Sequence, residues 1–150
     1  MTGASFEALN PRQMYGKVVE TMIIKATRPP RQAFLLSVMA GLFIGLGFVY
    51  CAVANVTGAG KIVGGLVFSL GLMLVVVLGG DLFTSTTMTL VPRASSKISW
   101  RQMLANWGIV YAGNFVGAIA LVALILLSGH PWNDGGSIAL YYIKDRKSVV

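Results

Sequence analysis

Residues 64–90 read GGLVFSLGLMLVVVLGGDLFTSTTMTL, and this stretch decides the fold. The 19 residues 62–80 carry no charge. At about 1.5 Å per residue, a helix of that length crosses the hydrocarbon core of a bilayer. The run ends in Gly79, Gly80 and Asp81, so two glycines weaken the helix just before a carboxylate. The pattern predicts a membrane-spanning helix that is broken near residues 79–87.

Hydroxyl side chains crowd the predicted break, at Thr84, Ser85, Thr86, Thr87 and Thr89. A helix can break inside a bilayer only where it is buried in protein or lines an aqueous path, because its freed backbone groups need partners. The break is therefore predicted to form part of a permeation path. Its carboxylate would repel anions, so it is predicted to accept hydrogen bonds from backbone N–H groups of the loop and not to bind substrate.

The composition is that of a polytopic membrane protein and excludes a soluble enzyme. Hydrophobic residues make up 55% of the 150 and charged residues only 11%, and the mean hydropathy is +0.73. The net charge of +7 is clustered between apolar runs, which is typical of loops that flank membrane spans. No soluble domain with a basic face and exposed aromatics is visible, so nucleic acid is not a predicted partner.

The apolar runs predict three spans between two polar ends, and the segments are 1–32, 33–56, 62–91, 103–128 and 129–150. Residues 1–32 are predicted to form a cytoplasmic amphipathic segment on the membrane surface. In it, Asn10 caps a helix with an apolar side at Val18, Met22 and Ile23. Residues 129–150 are expected to form a loop on the outer side.

Two GxxxG motifs, at Gly41/Gly45 and Gly113/Gly117, predict close packing of spans within the chain in preference to a dimer contact. Asn114 lies inside the third span. It is predicted to hydrogen-bond between helices, with a pore-lining position as the alternative.

Side chains for chemistry are not found in a useful pattern. The sequence has no metal-ligand spacing, no nucleophile–base pair and no paired carboxylates, and His130 falls in a predicted loop. The chain is therefore predicted not to be an enzyme, and no metal or cofactor is expected.

Several motifs resemble the formate/nitrite transporter family, and most of all its formate-channel branch, from about Tyr15 to Lys147. They are Lys61-x-Val63-Gly64-Gly65, Gly80-Asp81-Leu82-Phe83-Thr84-Ser85-Thr86, Ser99-Trp100-x-Gln102, Asn106-Trp107 and Gly113-Asn114-x-Val116-Gly117-Ala118. The resemblance implies an aquaporin-like fold of six spans in two inverted halves, with a pore in each protomer of a pentamer. This all-α chain would supply three spans, the second broken by a mid-membrane loop. We expect it to be the first half of a protein or a truncated sequence, without the second broken helix and its pore histidine.

The resemblance also implies site residues. It places an apolar constriction at Phe68 and Leu72, a second at Leu82 and Phe83, a polar gating loop at Asp81, Thr84 and Ser85, and anion attraction at Lys147. In the family, the threonine at the position of Thr84 hydrogen-bonds the pore histidine.

The predicted function is passive or proton-coupled passage of formate and similar small monovalent anions through a homopentamer. The expected location is a bacterial inner membrane, in contact with lipid, with the N-terminus in the cytoplasm because the first basic cluster precedes the first span. Lys144, Arg146 and Lys147 would then lie on the outer side, against that rule. Two alternatives stay open: a nitrite or hydrosulfide channel, and a membrane anchor or assembly subunit that conducts nothing.

Overall fold

The computed structural model describes residues 10–128, and the regular structure within this range is helical. The elements are α1 (Pro11–Thr27), α2 (Pro30–Val56), α3 (Gly60–Leu78), α4 (Phe83–Thr86), a 3₁₀ turn (Thr87–Thr89), α5 (Leu90–Ala94) and α6 (Trp100–Leu127).

Three of these helices, α2, α3 and α6, are long and apolar enough to cross a membrane, with 27, 19 and 28 residues. This agrees with the predicted all-α class and its three apolar spans. Large apolar side chains lie on their outer surfaces, and Val77 and Leu127 are 87% and 84% exposed. Apolar surface of that extent needs lipid or protein against it.

Two of the helices begin at capping boxes. Asn10 accepts a hydrogen bond from the backbone N–H of Gln13, whose side chain accepts one from the backbone N–H of Asn10. Ser99 and Gln102 form the same arrangement at the start of α6. The predicted cap at Asn10 is confirmed, and the Ser99-Trp100-x-Gln102 motif has a local structural reason.

The core of the bundle is α2, which packs against α3 on one side and α6 on the other. Glycines allow both contacts. A Cβ on Gly117 of α6 would overlap the carbonyl oxygen of Val38, and a Cβ on Gly71 of α3 would lie 2.6 Å from the carbonyl oxygen of Phe43. The prediction that the glycine motifs pack spans of this chain together is confirmed.

The first helix, α1, packs against α5, the 3₁₀ turn and α6. Its Ala26 joins Ile98 and Met103 in a small buried cluster. Val19 and Met22 are buried as well. This part of the apolar side of α1 contacts protein, where the sequence predicted contact with the membrane surface.

The long helix α3 ends in a Schellman motif. Gly79 takes a φ of +68°, and the backbone N–H groups of Gly79 and Gly80 donate to the carbonyls of Val76 and Val75. A positive φ at this position favours glycine. Residues 79–82 are not helical, and helical structure resumes at Phe83. The second predicted span is therefore interrupted by a non-helical segment between α3 and α4.

Candidate functional site at the break between two helices

The break lies halfway along the bundle. Asn114, which contacts it, comes fourteen residues after the first residue of α6 and thirteen before the last. Gly80 packs close to Ala40 of α2. At about 1.5 Å per residue, α6 extends roughly 20 Å beyond the break in each direction.

The amide of Asn114 joins three segments at this point. Its Nδ2 donates to the carbonyl of Ser37 on α2 at 2.8 Å and to the carbonyl of Asp81 at 2.9 Å. Its Oδ1 accepts the backbone N–H of Phe83 at 2.9 Å. An amide is required, because a helix break frees both donors and acceptors and Asn offers both. The predicted role of Asn114 in interhelical hydrogen bonding is confirmed.

The carboxylate of Asp81 is buried, with 1% of its side chain exposed, and it faces two cations, Lys25 in the last turn of α1 and Arg28 at its C-cap. Arg28 Nη1 donates a hydrogen bond to Oδ2 at 2.5 Å. Lys25 Nζ lies 3.2 Å from Oδ1, in an ion pair without hydrogen-bond geometry. Both cationic side chains are 17% exposed. This Asp81 cluster, defined as Asp81, Lys25 and Arg28, carries a formal net charge of +1.

The predicted partners of Asp81 were wrong. The sequence predicted that its carboxylate accepts hydrogen bonds from backbone N–H groups of the loop, whereas the structure gives it Lys25 and Arg28. The physical reason is charge. A buried carboxylate that is not neutralised is far more costly than one that is paired, and α1 brings two cations within reach.

Three of the five hydroxyls predicted to serve the backbone after the break do so, whereas Oγ1 of Thr86 is buried without a hydrogen-bond partner among the described residues. Ser85 Oγ donates to the carbonyl of Leu82 at 3.0 Å. The next two such bonds run from Thr87 to the carbonyl of Thr84 and from Thr89 to the carbonyl of Thr86. These bonds tie the hydroxyls to carbonyls of the short, irregular helical turns, two of which also accept a second donor: Leu82 from the backbone N–H of Thr86, and Thr86 from Trp107.

The ring of Phe83 packs edge-on against two aromatic side chains of α6. The centroid distances are 6.1 Å to Trp107 and 5.5 Å to Tyr111. Trp107 is itself fixed, because its Nε1 donates to the carbonyl of Thr86 at 3.2 Å and to Oγ1 of Thr89 at 2.9 Å.

The other predicted pore residues fall in two places. Leu82, Phe83 and Ser85 are half-buried around the break, and Thr84 beside them is exposed. Phe68 and Leu72 lie on α3, 37% and 47% exposed, about 15 Å and 9 Å along the helix before its last residue. Whether these two pairs of apolar side chains form two rings around one pore stays a prediction. Lys147 and His130 lie outside the described residues.

Sequence reasoning missed three contacts of this site. Lys25 and Arg28 were interpreted as cations of the basic cluster before the first span and of the predicted amphipathic helix, and Trp107 only as part of a motif. A signal for the first two existed, since Asp81 is the one carboxylate between Glu20 and Asp134. An acidic residue inside a membrane needs a cation, and Lys25 and Arg28 lie three residues apart just before the first span. Nothing in the sequence predicts the bonds of Trp107 to Thr86 and Thr89.

The site offers no metal centre within residues 10–128, where no three His, Cys, Asp or Glu side chains come together. Its chemistry is that of apolar side chains, hydroxyls and one paired carboxylate.

Comparison with known proteins gives a consistent result. Residues 12–146 match the family described as formate/nitrite transporter. The chain is 44% identical to the formate channel FocA of Escherichia coli (strain K12) over 142 residues, which cover 90% of this chain and 50% of that protein. It is 41% identical to FocA of Haemophilus influenzae, with 89% of this chain and 49% of that protein covered. The chain thus spans about half the length of the curated relatives it matches.

A solved structure described as a pentameric formate channel with formate bound has the same fold. It superposes with a TM-score of 0.65 at 46% sequence identity, and the match covers 74% of this chain and 46% of that one. Both results place the chain among multi-pass membrane proteins.

Proposed function

Because the chain belongs to the formate/nitrite transporter family, we propose that the protein conducts formate and similar small monovalent anions across a membrane, either passively or coupled to protons. The relatives at 41–44% identity are named formate channels, and the matching solved structure carries formate. Assembly as a homopentamer with one pore per protomer follows from the same likeness.

The observation that carries the proposal is the break at residues 79–82. The carboxylate of Asp81 in this break is buried and paired with cations. The side-chain amide of Asn114 on α6 binds the backbone on both sides of Leu82, at the carbonyl of Asp81 and the N–H of Phe83. A passive anchor or assembly subunit has no need for this arrangement, because an unbroken helix crosses a membrane at lower cost. A break placed halfway along α6 would lie near the middle of the bilayer if α6 spans it.

Two features of α3 and of the residues after the break fit the passage of a small anion. Apolar side chains at Phe68, Leu72, Leu82 and Phe83 would strip water and exclude larger ions. The exposed hydroxyl of Thr84 can donate to the anion or to its neutral acid. The neutral acid would cross the apolar parts far more easily, because the burial of an isolated charge is prohibitive.

Positive charge at the outer entry would gather anions before they enter, and Lys147 is assigned that role. No step requires bond making by the protein, so we do not assign it an enzymatic activity.

The topology we propose has the N-terminus in the cytoplasm and the protein in a bacterial inner membrane. The hydroxyl of Tyr15 on α1 hydrogen-bonds Ser95 at 2.7 Å, so α1 lies on the same side as the turn between α5 and α6. Lys17 of α1, Lys97 of this turn and Arg101 in the first turn of α6 therefore share one side. The positive-inside rule assigns that side to the cytoplasm.

The test is flux of formate into liposomes that contain the protein expressed from its complete reading frame. Thr84→Val should lower formate flux by about tenfold, because it removes one hydrogen-bond donor near the transported ion. Phe83→Ala should raise the passage of larger anions. Thr21→Val is the matched control, since Thr21 is an exposed threonine whose hydroxyl donates to the carbonyl of Lys17, away from the break.

The outcomes separate the candidates. Formate flux that falls in Thr84→Val and not in Thr21→Val supports the proposal. Faster flux of nitrite or hydrosulfide than of formate would assign the protein to one of those anions instead. Equal formate flux in liposomes with and without the protein would favour the non-conducting subunit. Formate flux that neither Thr84→Val nor Phe83→Ala changes would favour it as well.

A further inference from the structure

One face of α6 holds the first residue after the break. Trp107, Tyr111 and Asn114 are spaced by four and three residues, so they lie on the same side of the helix. All three contact Phe83, since Asn114 accepts its backbone N–H and the other two pack against its ring. The backbone and the side chain of Phe83 are thus fixed from one surface.

The surface is itself rigid. The amide of Asn114 is engaged at both ends, by Phe83 through Oδ1 and by the carbonyls of Ser37 and Asp81 through Nδ2. The indole of Trp107 is tied by its two bonds to Thr86 and Thr89. Neither group can follow Phe83 without giving up hydrogen bonds of its own.

Phe83 has little else to hold it. It begins a helix of four residues, too short to be stable alone, and the residue before it is extended, with φ −92° and ψ 138°. The three residues after it are Thr84, Ser85 and Thr86, none of which offers a large apolar surface. The orientation of its ring therefore depends on α6.

We propose that the face formed by Trp107, Tyr111 and Asn114 positions Phe83 and so sets the size limit for the anions that pass. These three are positioning residues, because they act through Phe83. The inference rests on the proposed function, in which Phe83 narrows the pore. It adds that anion selectivity is determined by a helix that is not broken.

The experiment measures the ratio of lactate flux to formate flux in liposomes with the protein from the complete reading frame. Tyr111→Ala frees one side of the Phe83 ring and should raise the ratio by about tenfold. Binding sites discriminate between molecules that differ by one or two carbon atoms on this scale. Asn114→Leu should act in the same direction. Phe115→Ala is the matched control, since Phe115 is 59% exposed on the same helix, close to the 60% of Tyr111. It should leave the ratio unchanged.

A second measurement does not depend on transport. With 4-fluorophenylalanine at position 83, Tyr111→Ala should shift and broaden the fluorine resonance, and Phe115→Ala should not. Tyr111 makes a ring contact with Phe83 whereas Asn114 makes three hydrogen bonds, so Tyr111→Ala remains useful if Asn114→Leu does not assemble.

Each result bears on one of the two proposals. Absence of formate flux in the unmodified protein overturns the proposed function. Normal formate flux, with a flux ratio and a fluorine resonance that Tyr111→Ala does not change, overturns the positioning role of α6. A changed ratio in Tyr111→Ala and Phe115→Ala alike also overturns it.

Discussion

The bundle of α2, α3 and α6 and the region around the break are held together by different physics. In the bundle, glycines let backbones approach, and the contacts of Gly71 and Gly117 are with carbonyl oxygens of α2. Around the break, the contacts are polar, as in the Asp81 cluster and the bonds of Asn114.

The difference shows which kind of substitution each region does not tolerate. Close packing of glycine depends on shape, so any added atom disturbs it, whatever its polarity. A polar cluster depends on complementary charge and on paired donors and acceptors. Removal of one partner there leaves another buried without compensation.

The largest expected effect is at the break. Asp81→Asn keeps the shape but leaves the half-buried Lys25 and Arg28 with no counter-charge, and should lower the free energy of unfolding by about 3 kcal/mol. Denaturant titration in mild detergent, followed by tryptophan fluorescence, measures this. Lys25→Met combined with Asp81→Asn should recover part of the loss. Glu20→Gln, which removes an exposed carboxylate from α1, is the control. If Asp81→Asn lowered the free energy of unfolding as little as Glu20→Gln does, the Asp81 cluster would not stabilise the fold.

A smaller effect is expected in the bundle. Gly117→Ala places a methyl group against the carbonyl of Val38 and should destabilise the packing of α2 and α6 by about 2–3 kcal/mol. The matched variant is Gly108→Ala on the same helix, where a Cβ would meet no atom within 4 Å. It should be neutral or stabilising by about 0.5–1 kcal/mol, because alanine is the better helix former. Equal effects of the two variants would show that the bundle does not depend on close approach at Gly117.

The smallest effect is expected at the start of α1, which belongs to neither region. Asn10→Ala removes the cap of α1 and should cost about 1 kcal/mol. Hydrogen exchange should become faster in the first turn of α1, while exchange around Asp81 stays unchanged. Ser99→Ala, at the matching capping box of α6, provides the comparison. Faster exchange at the break in Asn10→Ala would mean that α1 and the break unfold as one unit.

The family resemblance carried by residues 80–86 and by the later motifs is confirmed by the match over residues 12–146. The all-α class, the apolar spans and the interruption of the second span were also predictable, because long uncharged runs and paired glycines have few other outcomes. The role of each proposed pore residue stays a prediction. Phe68 and Leu72 lie on α3, whereas Leu82 and Phe83 lie beyond its end.

The sequence by itself determined that this chain has three long apolar helices and that the second stops at Gly79. Hydropathy and glycine are local properties, and they act before any long-range contact forms. Only the tertiary structure decided how the ends of that break are satisfied. Arg28 is separated from Asp81 by 53 positions, and Asn114 by 33. A pairing at that distance depends on how α1 and α6 pack around the break, and hydropathy does not encode which buried donor meets which acceptor.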